Sequence, residues 1–248
     1  MLFLARTAHG QFLGLIVGFL GWILILATAG LNEWRLWFVS DVSVINSGVA
    51  WVGIWRACFY SHILSDFENC QSFSISDSFL PVEIPVAQVL MMLSGICGLA
   101  ANVAGGLAMR MAYFSVKDRR YLRLLFLLAA VLYLLTATLS LVPLVWNMTS
   151  VLNNSTIAFP PEYYLPSVPK GQAVGSAIAV GIVASIMMLI SSLIFFCYRH
   201  VWESLSSEIP KVPPNAPRTA ATLPQTSEMS NRDLRGVDNP TYNDEELL

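Results

Sequence analysis

Residues 31–70, LNEWRLWFVSDVSVINSGVAWVGIWRACFYSHILSDFENC, decide the fold of this chain. This segment leans polar and lies between two long apolar segments. It contains Trp34, the tripeptide Gly53-Ile54-Trp55 and two cysteines, Cys58 and Cys70. Clustered tryptophans beside two cysteines outside a membrane indicate a small disulfide-linked extracellular module on a helical anchor.

The composition indicates an integral membrane protein. Of the 248 residues, 55% are hydrophobic and only 12% are charged, against about 45–50% and 25% in a soluble domain. The formal net charge of −2 provides no basic face for nucleic acid, so we expect no nucleic-acid partner. We expect contact with membrane lipid instead.

Four apolar segments are long enough to cross a ~30 Å hydrocarbon core as helices. They lie at about residues 12–31, 86–109, 124–146 and 173–198. The first could instead be a cleaved signal peptide, but it is longer than a typical signal core and lacks a clear Ala-x-Ala site. We therefore predict a membrane domain over residues 1–200, with loops at 32–85 and 147–172. Residues 201–248 form a separate tail.

The charges of the loops predict the orientation. Residues 110–123 hold five basic residues and one acid, so this loop should be cytosolic, with both termini. The loops at 32–85 and 147–172 then lie outside the cell. The sequons at Asn153 and Asn154 lie on the side where glycans are added, and both are glycosylation candidates.

This topology reduces the pairings open to four cysteines. Cys97 lies within the second apolar segment and Cys197 lies at the cytosolic end of the fourth. Only Cys58 and Cys70 face an oxidising compartment, so we predict a disulfide between them. Cys197 is either an inert thiol or a palmitoylation site.

The first outer loop should contain β-strands, because residues 36–39 and 49–60 are rich in aromatic and β-branched side chains. Alternation through residues 49–59 would place Gly53 and Trp55 on one face. Since Gly53 has no side chain, another group can approach its backbone. The tryptophans could also be only a local core or an interfacial belt.

Trp34, Gly53-Ile54-Trp55, Cys58 and Cys70 resemble the W…G-L-W…C…C signature of the claudins. Their wider tetraspan superfamily includes the peripheral myelin and epithelial membrane proteins and the AMPA-receptor auxiliary subunits. Residues 78–91 resemble the claudin segment that leads into the second helix, residues 141–146 resemble the end of the third helix, and residues 174–178 resemble the start of the fourth. The resemblance covers about residues 8–200.

The resemblance implies a left-handed four-helix bundle beneath a small antiparallel sheet built from both outer loops. It also implies a plasma-membrane protein of tight junctions that associates with itself and with other claudins, laterally and across cells. Two departures stand out: Gln88 replaces a usual arginine, and Phe59 follows Cys58 where some cation-conducting claudins carry an acid. From Phe59 we expect a paracellular barrier, or no effect on transport, rather than a cation path.

Aromatic and proline residues in the second outer loop suit a binding hot spot, although a rigid turn with incidental aromatics would have the same composition. The candidates for contact across cells are Phe159, Pro160, Tyr163 and Tyr164.

The sequence contains no catalytic constellation, nucleotide-binding loop or metal-ligand set that we can identify, so we expect neither an enzyme nor a cofactor. No apolar segment carries a charge in its middle, which argues against transport through the bundle. The alternative function is a tetraspan auxiliary subunit of a channel or receptor; a third is a vesicle or myelin-type membrane organiser.

The tail is rich in proline, serine, threonine and acids, so it should be disordered in the cytosol. Asn239, Pro240 and Tyr242 form an N-P-x-Y pattern that resembles endocytic and PTB-domain ligands; the alternative is a chance tetrapeptide. The C-terminal Leu248 could bind a PDZ scaffold by strand addition.

Overall fold

The computed structural model describes residues 2–39, 45, 48–61, 68–114 and 119–207. Four long helices form a bundle: α1 (Leu2–Gly30), α2 (Glu83–Phe114), α3 (Arg119–Leu152) and α4 (Ser176–Ser207). Each contains a segment long and apolar enough to cross a membrane. These helices confirm the prediction of four spans. Together with the small antiparallel sheet at one end of the bundle, they confirm the predicted fold class.

The sheet has five antiparallel strands in the order β4-β3-β2-β1-β5. Strands β1 (Arg35–Phe38), β2 (Val49–Val52), β3 (Arg56–Tyr60) and β4 (Glu68–Ser72) come from the first loop. Strand β5 (Gly171–Val174) comes from the second loop and pairs with β1. Both loops therefore build one sheet at the same end of the bundle.

Two helices begin a few residues away from the approximate starts of the predicted spans. The fourth apolar segment was expected to begin at residue 173, but Ala173 and Val174 belong to β5, because their backbones pair with Leu36 and Arg35. Helix α4 starts only at Ser176. At the other end of the first loop, α2 begins at Glu83, before the apolar segment itself.

The predicted continuous alternation over residues 49–59 was also wrong. Residues 53–55 separate β2 from β3 and form a turn. The turn is closed by the Gly53 N–H, which donates to the Arg56 carbonyl at 2.9 Å. Its other side lies against the segment between α1 and β1, where a Cβ on Gly53 would be 3.0 Å from the Cα of Asn32.

Close packing within the bundle depends on small residues. A Cβ on Gly18 of α1 would lie 2.6 Å from the ring of Tyr133 in α3, so only glycine admits that ring. Ser140 and Ser185 join α3 to α4 through a 2.7 Å hydroxyl hydrogen bond. Lipid tails are as apolar as the side chains, so the hydrophobic effect does not drive helices together inside a membrane. Close packing and interhelical hydrogen bonds such as these stabilise the bundle instead.

Candidate functional site

The candidate site is the sheet together with its junction to the bundle. The two faces of the sheet differ in exposure: the inner face holds Trp37, Ala50, Val52, Ala57 and Phe59, all buried. The outer face holds half-buried apolar side chains in β1 and β2. The inner face is thus a second core, distinct from that of the bundle.

The signature residues fix the sheet to the helices. Trp34 is 1% exposed and donates its indole N–H to the carbonyl of Thr28, at 3.0 Å, near the end of α1. Ile54 is equally buried, and its carbonyl accepts a 2.6 Å hydrogen bond from Nε2 of Gln88 in α2. Trp55 packs against the bundle core. The motif therefore holds the start of β1 on α1 and the β2–β3 turn on α2.

Cys58 and Cys70 form a disulfide between β3 and β4, where they are directly paired in the register. Cys58 is buried, whereas Cys70 is exposed at the edge strand. The carboxyl group of Glu68 lies near both sulfurs. Since both thiols are committed to the disulfide, this group offers no thiolate to a metal ion.

A buried polar cluster joins the sheet to α2 and α3. Arg35 of β1 forms an ion pair with Glu83 at 3.1 Å and donates to the Oδ1 atom of Asn147 at 2.8 Å. Asn147 donates in turn to the carbonyls of Glu83 and Pro143, and Ser150 hydrogen-bonds to the Glu83 carboxylate. One arginine therefore connects three elements.

Burial lowers the pKa of the Arg35 guanidinium, while the hydrogen bond and charge of Glu83 oppose that shift. The guanidinium needs these partners because an unpaired charge in this position would be very costly. Sequence reasoning missed this cluster. The available signal was a charge of each sign flanked by apolar residues, since buried charges occur mainly in pairs.

The second loop closes over the inner face through aromatic contacts. Phe159 is 8% exposed and meets Trp37 edge-to-face at 5.4 Å and Phe73 at 6.3 Å. Tyr163 stacks on Phe73 at 5.9 Å and donates its hydroxyl to the Ser72 carbonyl at 2.9 Å. Phe79 completes this group, which we call the aromatic cluster: Trp37, Phe73, Phe79, Phe159 and Tyr163.

Exposure separates the four candidates for contact across cells. Phe159 is not available, because the aromatic cluster buries it; this expectation was wrong. Tyr163 is half-buried and its hydroxyl is already bonded, while Pro160 is half-buried. Tyr164 projects with 62% of its surface exposed and has a left-handed backbone, with φ of 52°.

Phe59 also differs from its expected role. We expected it to occupy a position on an ion path, but it is 1% exposed on the inner face. Its neighbour Tyr60 is on the outer face, where its ring meets Trp51 edge-to-face at 5.5 Å. A cavity of about 240 Å³ lies beside this pair and is also lined by Glu33 and Glu68. Phe59 is therefore shielded from solvent, whereas the outer face of the sheet is accessible to it.

The remaining candidates are placed as follows. Asn153 and Asn154 follow the end of α3 and are exposed. Cys197 is exposed on α4. The tail motif of Asn239, Pro240 and Tyr242 lies outside the described residues.

A family pattern described as PMP-22/EMP/MP20/Claudin tight junction matches residues 19–197. The chain belongs to this family. Among its curated relatives, claudin-3 of Rattus norvegicus is 25% identical over 189 residues, covering 74% of this chain and 80% of the relative. Claudin-2 of Bos taurus is 26% identical over 190 residues, covering 76% and 77%. Claudin-4 of Canis lupus familiaris is 25% identical over 194 residues, covering 75% and 84%.

The matched region includes the signature residues, the disulfide, the buried polar cluster and the aromatic cluster. Membership of this family supports a claudin-like tight-junction role. The four long apolar helices support a multi-pass membrane protein. The identity of about 25% shows that the side chains of this claudin-family chain have diverged widely from those relatives.

Proposed function

We propose that this chain is a tight-junction protein that forms a paracellular barrier by associating laterally in one membrane and by contacting the neighbouring cell. The observation that carries the proposal is the single sheet built from both loops and fixed rigidly to the bundle. A rigid sheet outside the membrane can be presented to neighbours without an ordering cost at each contact.

The character of the outer face supports a barrier. Leu36 and Phe38 of β1, with Val49 and Trp51 of β2, alternate with the buried positions and are half-buried. A mainly apolar lining offers a hydrated cation few groups to replace its water. Of the two carboxylates beside this face, Glu33 already accepts a hydrogen bond from Ser176, which leaves Glu68 as the more accessible charge.

The proposed orientation places the sheet outside the cell and both termini in the cytosol. The five basic residues of residues 110–123, which span the end of α2 and the start of α3, support it, because cytosolic segments carry an excess of lysine and arginine. In this orientation the partners are other copies of the chain and other claudins through the sheet. An endocytic or PTB-type adaptor, or a PDZ scaffold, would bind the tail.

Freeze-fracture imaging of claudin-free cells that express the chain tests the proposal. Continuous intramembrane strands at cell contacts, with increased transepithelial resistance, are the expected result. A smooth fracture face together with co-purification of a channel or receptor would contradict it and favour the auxiliary-subunit function.

A further inference from the structure

A groove of about 290 Å³ opens between α3 and α4 at the end of the bundle opposite the sheet. Its floor consists of Phe126 and Phe195, which are 2% and 1% exposed and whose rings lie 5.7 Å apart. Phe195 is also in contact with Tyr133 at 5.5 Å. Because these rings are held by the bundle core, the groove is preformed.

The walls of the groove are apolar and face outward. Leu124 is 56% exposed, while Leu127 and Phe196 are half-buried. The volume is at the lower end for small-molecule sites, which are about 300–1,000 Å³. It therefore suits part of one acyl chain better than a bulky ligand.

The rim of the groove is cationic. Arg120 and Arg123 line it and are exposed. They are three residues apart on α3, so they share one side of the helix. The long apolar segment of α3 begins directly after them, at Leu124. The two guanidinium groups thus lie at the level of the lipid headgroups, immediately above an apolar groove.

We propose that this groove binds one anionic phospholipid, with its net negatively charged headgroup against Arg120 and Arg123 and an acyl chain over Leu127 and Phe196. Basic pockets between helices on the cytosolic side are suited to anionic headgroups. Our proposed orientation places this end in the cytosolic leaflet, where such lipids are concentrated. The inference does not depend on adhesion or on barrier function.

Native mass spectrometry of the full chain in detergent tests the inference. Phosphatidylserine and phosphatidylcholine with identical acyl chains serve as probes. We expect the wild type to prefer phosphatidylserine by about tenfold, since each basic residue near the headgroup adds to the attraction. The double variant Arg120→Gln/Arg123→Gln should lose this preference. Arg110→Gln, an exposed arginine at the same end that does not line the groove, should retain it.

A second variant tests the apolar part. Phe196→Ala should weaken binding of both lipids, because it removes a wall of the groove without changing its charge. Equal binding of the two lipids by the wild type would overturn the inference, as would full preference in the double variant. So would competition by glycerophosphoserine, which lacks acyl chains, at concentrations equal to those of phosphatidylserine. A change in oligomeric state with unchanged lipid binding in Phe196→Ala would identify a second copy of the chain as the occupant instead.

Discussion

Arg35 of the sheet and Glu83 of α2 form a buried ion pair that lies between the sheet and the bundle. The two residues are far apart in sequence, and each is held by Asn147 of α3 as well: its Oδ1 atom accepts from Arg35 and its amide donates to the Glu83 carbonyl. Such a pair adds little net stability over apolar residues of the same volume, but breaking it leaves a buried charge unpaired.

We therefore predict that Glu83→Gln lowers the free energy of unfolding by about 3–5 kcal/mol. Arg35→Met should cost a similar amount. The double variant Arg35→Met/Glu83→Met should cost much less than the sum, because neither charge is left alone. Thermal unfolding in detergent measures all three variants, with Arg56→Gln as an exposed control. Additive losses in the double variant would show that the two side chains act independently.

The disulfide should stabilise the sheet and leave the spans intact. Its cysteines are 12 residues apart, and closing a loop of that length stabilises a fold by about 3 kcal/mol in the chain-entropy model. Cys58→Ser/Cys70→Ser should therefore lower the unfolding midpoint while four spans remain inserted. Cys197→Ser is the matched control, because Cys197 lies on α4, away from the sheet. Mass mapping of the wild type without reductant should find Cys58 linked to Cys70, and a free Cys58 thiol at the cell surface would contradict this.

Phe159 and Tyr164 should respond in opposite ways to alanine. Phe159→Ala opens a cavity in the aromatic cluster and should cost about 3–5 kcal/mol of stability. Tyr164→Ala removes an exposed side chain, so stability should hold while adhesion between expressing cells falls. Unfolding curves and a cell-aggregation assay separate the two effects. Unchanged aggregation in Tyr164→Ala would exclude this residue from contact across cells.

Phe59 and Tyr60 are adjacent in the sequence, but an aspartate at each position should have a different effect. Phe59→Asp places a charge in the inner core and should abolish delivery of folded protein to the surface. Tyr60→Asp changes only the outer face, so the protein should reach the surface and increase the permeability of sodium over chloride. Surface biotinylation and dilution potentials across monolayers measure these outcomes. In the wild type we expect no preference for sodium; a clear preference would contradict the barrier proposal.

The exposed sequons test the orientation. Digestion with an N-glycosidase should shift the wild type by one glycan, and Asn153→Gln/Asn154→Gln should remove the shift. Asn147 also begins a sequon, Asn147-Met148-Thr149, but Asn147→Gln should leave the glycan pattern unchanged, because Asn147 is 1% exposed inside the polar cluster. A shift that survives the double variant would place the glycan elsewhere and leave the orientation without this support.

Local patterns predicted most of the fold. The four spans follow from apolar segment length, and the sheet follows from β-branched and aromatic composition between them. The sequence could not predict which side of each strand faces inward, since the turn at Gly53 shifts the alternation between β2 and β3. It therefore gave no warning that Phe59 is a core residue.

The polar cluster was unpredictable for a different reason. Pairing Arg35 with Glu83 and Asn147 requires three distant elements to be placed together, and nothing local to any of them specifies the others. Similarly, the end of β5 lies within an apolar segment because its backbone pairs with the edge of β1. These features arise from tertiary contacts, which override the local pattern.

The pairing of β1 with β5 imposes an order on biosynthesis. Strands β1 to β4 and both cysteines of the disulfide precede α2 in the chain, so this hairpin-rich part can form early. Strand β5 follows α3 in the chain, and until it emerges one edge of β1 has no partner. During that interval the nascent protein presents an open strand edge in the compartment that receives the loop, where a chaperone or another chain could pair with it. Quality control of this protein should therefore act most strongly after its third helix is inserted and before its fourth.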